Sequence, residues 1–359
     1  MEDIGSVELK DVTLPSGAHF ENLKQVYARY GKMKGDGENV ILVCHALTGS
    51  HRLTGEKIKG QPDPWWGGVV GSGKALDTNK YCVICFNNLA SPYGSTSPMS
   101  IDPATGKKYD MRFPILSPRD TAFAQRQALE SLGIKHLYAV VGGSLGGMIG
   151  LEFAISFPEE TPRCALIAAP DRLYPQAIAF NAVQRQSIMC DPLWNGGDYE
   201  GTGPASGLAA ARMIAMITYK SEQSFSHRYM REMACGAAQD WNGQFQIESY
   251  LHHHGKEIVR RFDANCYLYL TKMMDLHDIG VRRGGLDQAW KRFAGRRLLG
   301  LGVSSDMLFP NWQVEEAVRV ANKNGVHAYY EEIESENGHD AFLMDFDQVD
   351  DYLRSFLAE

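Results

Sequence analysis

The chain has 359 residues, 44% hydrophobic and 22% charged. That is the make-up of a globular protein large enough to bury its core without disulfide or metal staples. Its net charge of −7 argues against nucleic acid as the main partner. Seven cysteines, an odd number with no framework spacing, predict reduced thiols in a cytoplasmic setting. The opening MEDIGSVELKDVTLPSG is acidic and lacks an apolar segment, so it predicts no secretory signal. The longest uncharged stretch, 137–151, is too short and too rich in glycine for a membrane span.

In chain order, short apolar runs predict buried strands at NVILVC (39–44), YCVICF (81–86), HLYAVV (136–141), CALIAA (164–169), RLLGLGV (297–303) and VHAYYEEI (326–333). Such unalternated runs suit a parallel sheet covered on both faces. Helical patterns lie between them. RDTAFAQRQALESLG ends at Gly133, a residue type suited to a helix C-terminus. PNWQVEEAVRVANKNG has Pro310 near the first helical position and Gly325 past the last. DFDQVDDYLRSFLAE places Val349, Leu353 and Phe356 on one stripe. Strands alternating with helices predict an α/β, doubly wound sheet. From 171 to 288 strand signals vanish. AIAFNAVQRQSIMC, GLAAARMIAMITYKSE and ANCYLYLTKMMDLHD there predict an all-helical insertion, with the turn-rich loop DPLWNGGDYEGTGPASG inside it. The expected division is a core domain of 1–170 and 289–359, and an inserted helical domain of 171–288.

Two metal-like patterns dissolve on geometry. Cys82 and Cys85 form a C-x-x-C within a strand pattern, where residues three apart point to opposite faces. They cannot share a metal or a disulfide there. His252, His253 and His254 fall on a helical pattern, where successive side chains fan out by about 100°, so a solvated run is the better reading and no metal site is expected.

The stretch GGSLGG, centred on Ser144, matches G-x-S-x-G after a strand and before the helical MIGLEFAISF. That context is a nucleophile elbow, a tight turn that lifts the serine above the sheet at a helix N-terminus. The glycines at 142 and 146 leave room for the turn. The amide of Leu145 is a candidate oxyanion donor. A serine hydroxyl needs a base, and in such folds the chain order is serine, acid, histidine. Asp306 lies just past the strand pattern ending at Val303. His339 lies between the last strand and the last helix. Asp306 would orient the imidazole, and His339 would take the serine proton. A second oxyanion donor is expected near Leu47, in the HALTGSH loop after the 39–44 strand. His45 in that loop reads as a hydrogen-bonded turn residue.

GGSLGGM, SPYGSTSP with DPATGKKY, FPILSPRD, GLAAARMIAMITYKSE, RFDANCYLYLTKMMDLHD, SSDMLFP and NGHDAF occur in this order. Together they resemble the homoserine O-acetyltransferase family of α/β-hydrolase-fold acyltransferases, from about Leu9 to the C-terminus. The resemblance implies an α/β-hydrolase fold with a helical lid. It also implies a ping-pong transfer from acetyl-CoA through Ser144 to the hydroxyl of L-homoserine, in methionine biosynthesis, with no tightly bound cofactor, and a homodimer built through the lid helices. It implies Ser144, Asp306 and His339 as catalytic residues and Arg212 and Asp340 as substrate contacts. A guanidinium among Ala211, Met213 and Ile214 needs an anionic partner, and its planar fork suits a carboxylate; the residues alone favour an internal ion pair, and the motif context points to substrate. Asp340, beside the base, suits the acceptor's ammonium group. Two positions depart from the family pattern. Met216 stands where histidine is usual, and FNAV, with Ala182, replaces FNEV. Succinyl-CoA as donor and serine as acceptor stay open. An esterase is a further alternative, because the same triad hydrolyses esters if water reaches the acyl-enzyme. A catalytically silent binding protein would normally have lost a member of the triad, and here all three are present.

Overall fold

The computed structural model describes residues 2–358. Eight strands form one sheet: β1 (Glu2–Thr13), β2 (His19–Tyr30), β3 (Val40–Cys44), β4 (Cys82–Phe86), β5 (Ala139–Gly143), β6 (Arg163–Ile167), β7 (Arg297–Val303) and β8 (His327–Ile333). Their spatial order is β1-β2-β4-β3-β5-β6-β7-β8. The β1–β2 and β2–β4 pairs are antiparallel, and every other pair is parallel. The six strands read from apolar runs are all present. The β1–β2 hairpin was not among them. Its strands mix buried and exposed residues, as in the buried Val7 and Leu9 around the exposed Glu8 of β1, because one face is wet at the edge of the sheet.

Alternate residues of the central strands feed two cores. Val40, Leu42 and Cys44 join one, together with Cys82, Ile84 and Phe86. Ile41 and Val43 join the other, with Val83 and Cys85. Cys82 and Cys85 thus face opposite sides of the sheet. The first core takes in Ala122 and Ala128 of α1 (Pro118–Ser131) and Met148 and Leu151 of α2 (Leu145–Ser156). Ser117 and Asp120 form a capping box that starts α1, satisfying amides that the helix itself leaves unpaired.

Six helices lie between β6 and β7: α3 (Pro175–Met189), α4 (Ala205–Tyr219), α5 (Glu222–Tyr229), α6 (Gln246–Arg261), α7 (Ala264–Asp275) and α8 (Leu286–Lys291). The segment is not all helical, since Met233–Cys235 pairs with Gln244–Phe245 as a small antiparallel ladder. Where the segment leaves and rejoins the sheet, its outgoing and returning ends are tied by backbone bonds from Leu173 N–H to the His277 carbonyl (2.8 Å) and from Ile279 N–H to the Asp171 carbonyl (3.1 Å). After β7 come α9 (Asn311–Lys323) and, after β8, α10 (Phe346–Ala358). The second core takes in Val349, Leu353 and Phe356 of α10. Among the described residues, no helix is long and apolar enough to cross a membrane.

Candidate active site

β5 runs straight into α2 through Ser144, whose backbone sits at φ 57°, ψ −129°. A non-glycine residue there is strained. The turn closes only because side chains are missing on either side. A Cβ on Gly146 would run into the Cys44 carbonyl, and one on Gly142 into the Gly146 carbonyl. The strain aims Ser144 off the carboxyl end of β5, beside the carboxyl ends of its neighbours, where open α/β sheets place their ligands.

The other two residues arrive from loops at that same edge. Asp306 follows β7, and His339 lies in the 3₁₀ turn Gly338–Leu343 that follows β8. Ser144 Oγ lies 2.9 Å from His339 Nε2, and His339 Nδ1 lies 2.6 Å from Asp306 Oδ2. The second Asp306 oxygen accepts the N–H groups of Leu308 (2.8 Å) and Phe309 (2.9 Å), so the carboxylate cannot swing away. A carboxylate on Nδ1 fixes the tautomer that leaves Nε2 as acceptor for the serine proton. All three are at most 5% exposed. The structure thus brings together three residues that lie far apart in the chain, in a relay able to deprotonate a hydroxyl.

The two expected oxyanion donors lie on adjacent strands. Cys44 of β3 pairs with Gly142 of β5, so the loops carrying Leu47 and Leu145 leave the sheet side by side. Leu145 is the first residue of α2, where backbone N–H groups have no intrahelical acceptor. His45 is a fully buried brace for this loop. Asn88 N–H donates to its Nε2 (2.9 Å), so Nδ1–H donates to the Ala46 carbonyl (2.8 Å). Burial pushes its pKa down to about 4, which keeps that bonding pattern.

Arg212 lies on α4 with Nε and Nη1 buried and without a hydrogen-bond partner. Its guanidinium sits over the Tyr219 ring at 5.4 Å, and that ring lies 5.8 Å from the His339 ring. Two buried guanidinium nitrogens with no partner, on a half-buried side chain one aromatic ring from His339, suit an anion. Asp340 is already paired: Lys220 Nζ lies 3.0 Å from its Oδ2. Tyr219 and Lys220 were missed in the sequence. Tyr219 is seven residues after Arg212, two helical turns along one face, and that spacing was the available signal. Met216, between them and one turn from each, is buried, whereas Ala182 is exposed. The histidine run also differs in part from expectation. His252 and His253 are exposed, but His254 is half-buried. Its ring lies 4.4 Å from that of Tyr250. Burial and the charge of Arg212 push its pKa down to about 4. Among the described residues, no cluster of side chains could hold a metal.

Fold and site together define an α/β-hydrolase-fold enzyme of the acyltransferase and hydrolase class. The family model for the alpha/beta hydrolase fold matches residues 39–345. The homoserine O-acetyltransferase of Moorella thermoacetica is 47% identical over 349 residues, covering 96% of this chain and 93% of its own. The crystal structure of homoserine O-acetyltransferase from Bacillus anthracis superposes with a TM-score of 0.93 at 28% identity, covering 100% of this chain and 98% of its own. Esterase E22 superposes with a TM-score of 0.90 at 26% identity, covering 99% and 100%. The chain belongs to the homoserine O-acetyltransferase family of α/β-hydrolase-fold proteins.

Proposed function

We propose that this enzyme transfers the acetyl group of acetyl-CoA to the hydroxyl of L-homoserine through an acyl-enzyme on Ser144, as a step of methionine biosynthesis. The observation that carries the acceptor side is Arg212, a half-buried side chain whose buried Nε and Nη1 have no partner, one ring from His339.

In the first half-reaction Ser144 Oγ attacks the thioester carbonyl while His339 Nε2 takes its proton. The amides of Leu47 and Leu145 hold the developing oxyanion. The C–S bond breaks and His339 returns the proton to the departing thiolate, leaving acetyl-Ser144 and CoA. In the second, the acceptor's carboxylate lies on Arg212, and its ammonium group lies on the Asp340 oxygen that Lys220 leaves. His339 then takes the hydroxyl proton, the acceptor oxygen attacks the acetyl carbon, and Ser144 leaves with that proton. Asp306 stabilises the imidazolium in both halves. The helices between β6 and β7 act as a lid that keeps water from the acyl-enzyme. The enzyme works in the cytoplasm as a homodimer joined through those helices, and it needs no metal or tightly bound cofactor. The seven unpaired cysteines support the reducing compartment.

An assay crossing acetyl-CoA and succinyl-CoA with homoserine and serine, reading CoA release, tests the assignment. Fastest turnover with acetyl-CoA and homoserine supports it. Fastest turnover with another pair reassigns donor or acceptor, and equal CoA release without any amino acid makes the protein an esterase.

A further inference from the structure

The segment GEKIKGQPDPWW, residues 55–66, forms a strap beside the loop that carries Leu47. Gly55 (φ 114°) and Gly60 (φ 83°) turn the chain where side chains rarely permit it, and Lys57 and Lys59 between them are exposed. The strap returns to the loop after β3 at Trp65, whose indole N–H donates to the Ser50 carbonyl (2.9 Å) and whose ring stacks on Trp66. Facing it is the end of α6. Between them opens a cavity of about 700 Å³ lined by Ser50, Gln61, Trp65, Tyr93, Arg260 and Arg261 among others. That is the size of a small-molecule site. Ser144 is not in its wall, but Thr48 is, one residue from Leu47.

The charges in this cavity are unevenly matched. Of its two acids, Glu257 pairs with Arg260 and Asp63 with Lys57 (2.7 Å). Arg261 has no carboxylate partner among the described residues. Its Nη1 donates to the Thr48 carbonyl (2.9 Å) and to the Tyr93 hydroxyl (2.8 Å), and these bonds leave Nε and Nη2 for another group. Arg261 is exposed and shares the cavity wall with the Trp65 indole, so it offers an accessible guanidinium without a carboxylate on a chain of net charge −7.

We infer that this cavity holds the phosphorylated nucleotide end of the acyl donor, with a phosphate on Arg261 and the purine against Trp65. The inference rests on the reading above that the donor is an acyl-CoA. A guanidinium fork suits phosphate oxygens, an indole offers a face to a purine, and Lys59, the strap lysine that no carboxylate pairs among the described residues, lowers the cost of bringing a polyanion to an acidic protein. The pantetheine arm then runs past Thr48 toward Ser144. Arg261, bonded to the Thr48 carbonyl, ties the seated nucleotide to the loop that supplies an oxyanion donor.

The test is calorimetric binding of adenosine 3′,5′-bisphosphate, a fragment of that end with no thioester. It is expected to bind the unaltered enzyme, to compete with acetyl-CoA and not with homoserine, and to bind at least about tenfold more weakly to Arg261→Gln, the loss expected when a charge-assisted contact is removed. Lys59→Glu, which alters only an exposed side chain of the strap, should weaken it several-fold. Both variants should keep acylation of Ser144 by p-nitrophenyl acetate, which has no nucleotide. Binding that neither variant changes, or that homoserine displaces, overturns the assignment. So does a parallel fall in acylation by acetyl-CoA and p-nitrophenyl acetate in Arg261→Gln, which would make Arg261 only a brace for Thr48. If acetyl-CoA does not acylate Ser144 yet bisphosphate binding still depends on Arg261, the proposed reaction falls and the nucleotide site stands.

Discussion

Ser144 holds a backbone conformation that costs on the order of 1–3 kcal/mol, and nothing in the packing of an ordinary turn would justify it. Placed 2.9 Å from His339 Nε2, the strained residue is expected to be the site of acylation. Mass spectrometry after mixing with acetyl-CoA alone should show one added acetyl group, lost in Ser144→Ala; the same adduct on a cysteine would refute the assignment. Asp306→Asn should lower kcat by on the order of 10⁴-fold, because an amide facing Nδ1 favours the wrong tautomer. Combined with His339→Ala it should cost little more, since the residues act as a unit. Arg212→Lys replaces a fork with a point charge, and removing half of a desolvated pair costs about 2–5 kcal/mol. Acceptor use should therefore fall steeply while acylation by donor alone holds. Failure of acylation with acceptor affinity intact would move Arg212 to the donor side. His45 sets a pH dependence of stability. Its pKa lies at about 4 in the folded protein against an ordinary 6.5, so the unfolded chain binds the proton more readily. Its contribution is complete above pH 6.5 and is lost as pH falls toward 4. His51 and His254, also held down to about 4, act in the same sense. Asp171, pushed up to about 6 by burial, opposes them. The urea midpoint should fall from pH 6.5 to 4, and less steeply in His45→Asn; parallel slopes would show that His45 takes up its proton without cost.

Elements explain what could be read and what could not. The six strands read from apolar runs are buried on both faces, so their residue types alone mark them. β1 and β2 scatter their buried residues among exposed polar ones instead, as with Val7 and Leu9 around Glu8, and Phe20 and Leu23 around Glu21 and Asn22. The Ser144, Asp306 and His339 positions were legible because a motif fixed one of them and chain order fixed the loops of the others. The surroundings of Arg212 were not, because they come from several elements at once. The end of α4 brings Tyr219 and Lys220 to the His339 turn, and α6 brings His254 toward Arg212. No local pattern records such meetings. One residue does record the docking of α4. Gly338 has φ 65°, and a Cβ on it would press on the Tyr219 carbonyl and the backbone at Lys220 and Ser221. Gly338→Ala should therefore push the His339 turn away from α4 and cost more than 1 kcal/mol. Activity should fall well before the sheet melts, with far-ultraviolet circular dichroism unchanged at 25 °C. A variant as active and as stable as the parent would show that the turn and the helix end yield to one another.

At the scale of the whole molecule, the fold does not choose between transfer and hydrolysis. Esterase E22 matches this chain end to end with a TM-score of 0.90, as does the homoserine O-acetyltransferase of Bacillus anthracis with 0.93. The choice lies in whether water or an amino acid meets the acyl-enzyme first. Here Ser144 and His339 are 5% and 3% exposed, and the His339 ring is walled by Tyr219, Phe309 and Phe342, all within 5.8 Å between ring centres. An imidazole so enclosed activates water only if water enters past those rings. An acceptor whose carboxylate fills the empty donors of Arg212 gains charge-assisted bonds that water cannot supply. The enzyme should therefore accumulate acetyl-Ser144. With acetyl-CoA alone, CoA release should stop after about one equivalent per site, the burst of a stalled intermediate. Homoserine should then restart steady turnover, and serine should do so less well. Should serine prove the better acceptor, Met216 is the first residue to exchange, because it is buried one turn from Arg212 on α4. Steady CoA release with no acceptor, indifferent to added homoserine, would mean that water passes the aromatic wall and that the enzyme is an esterase.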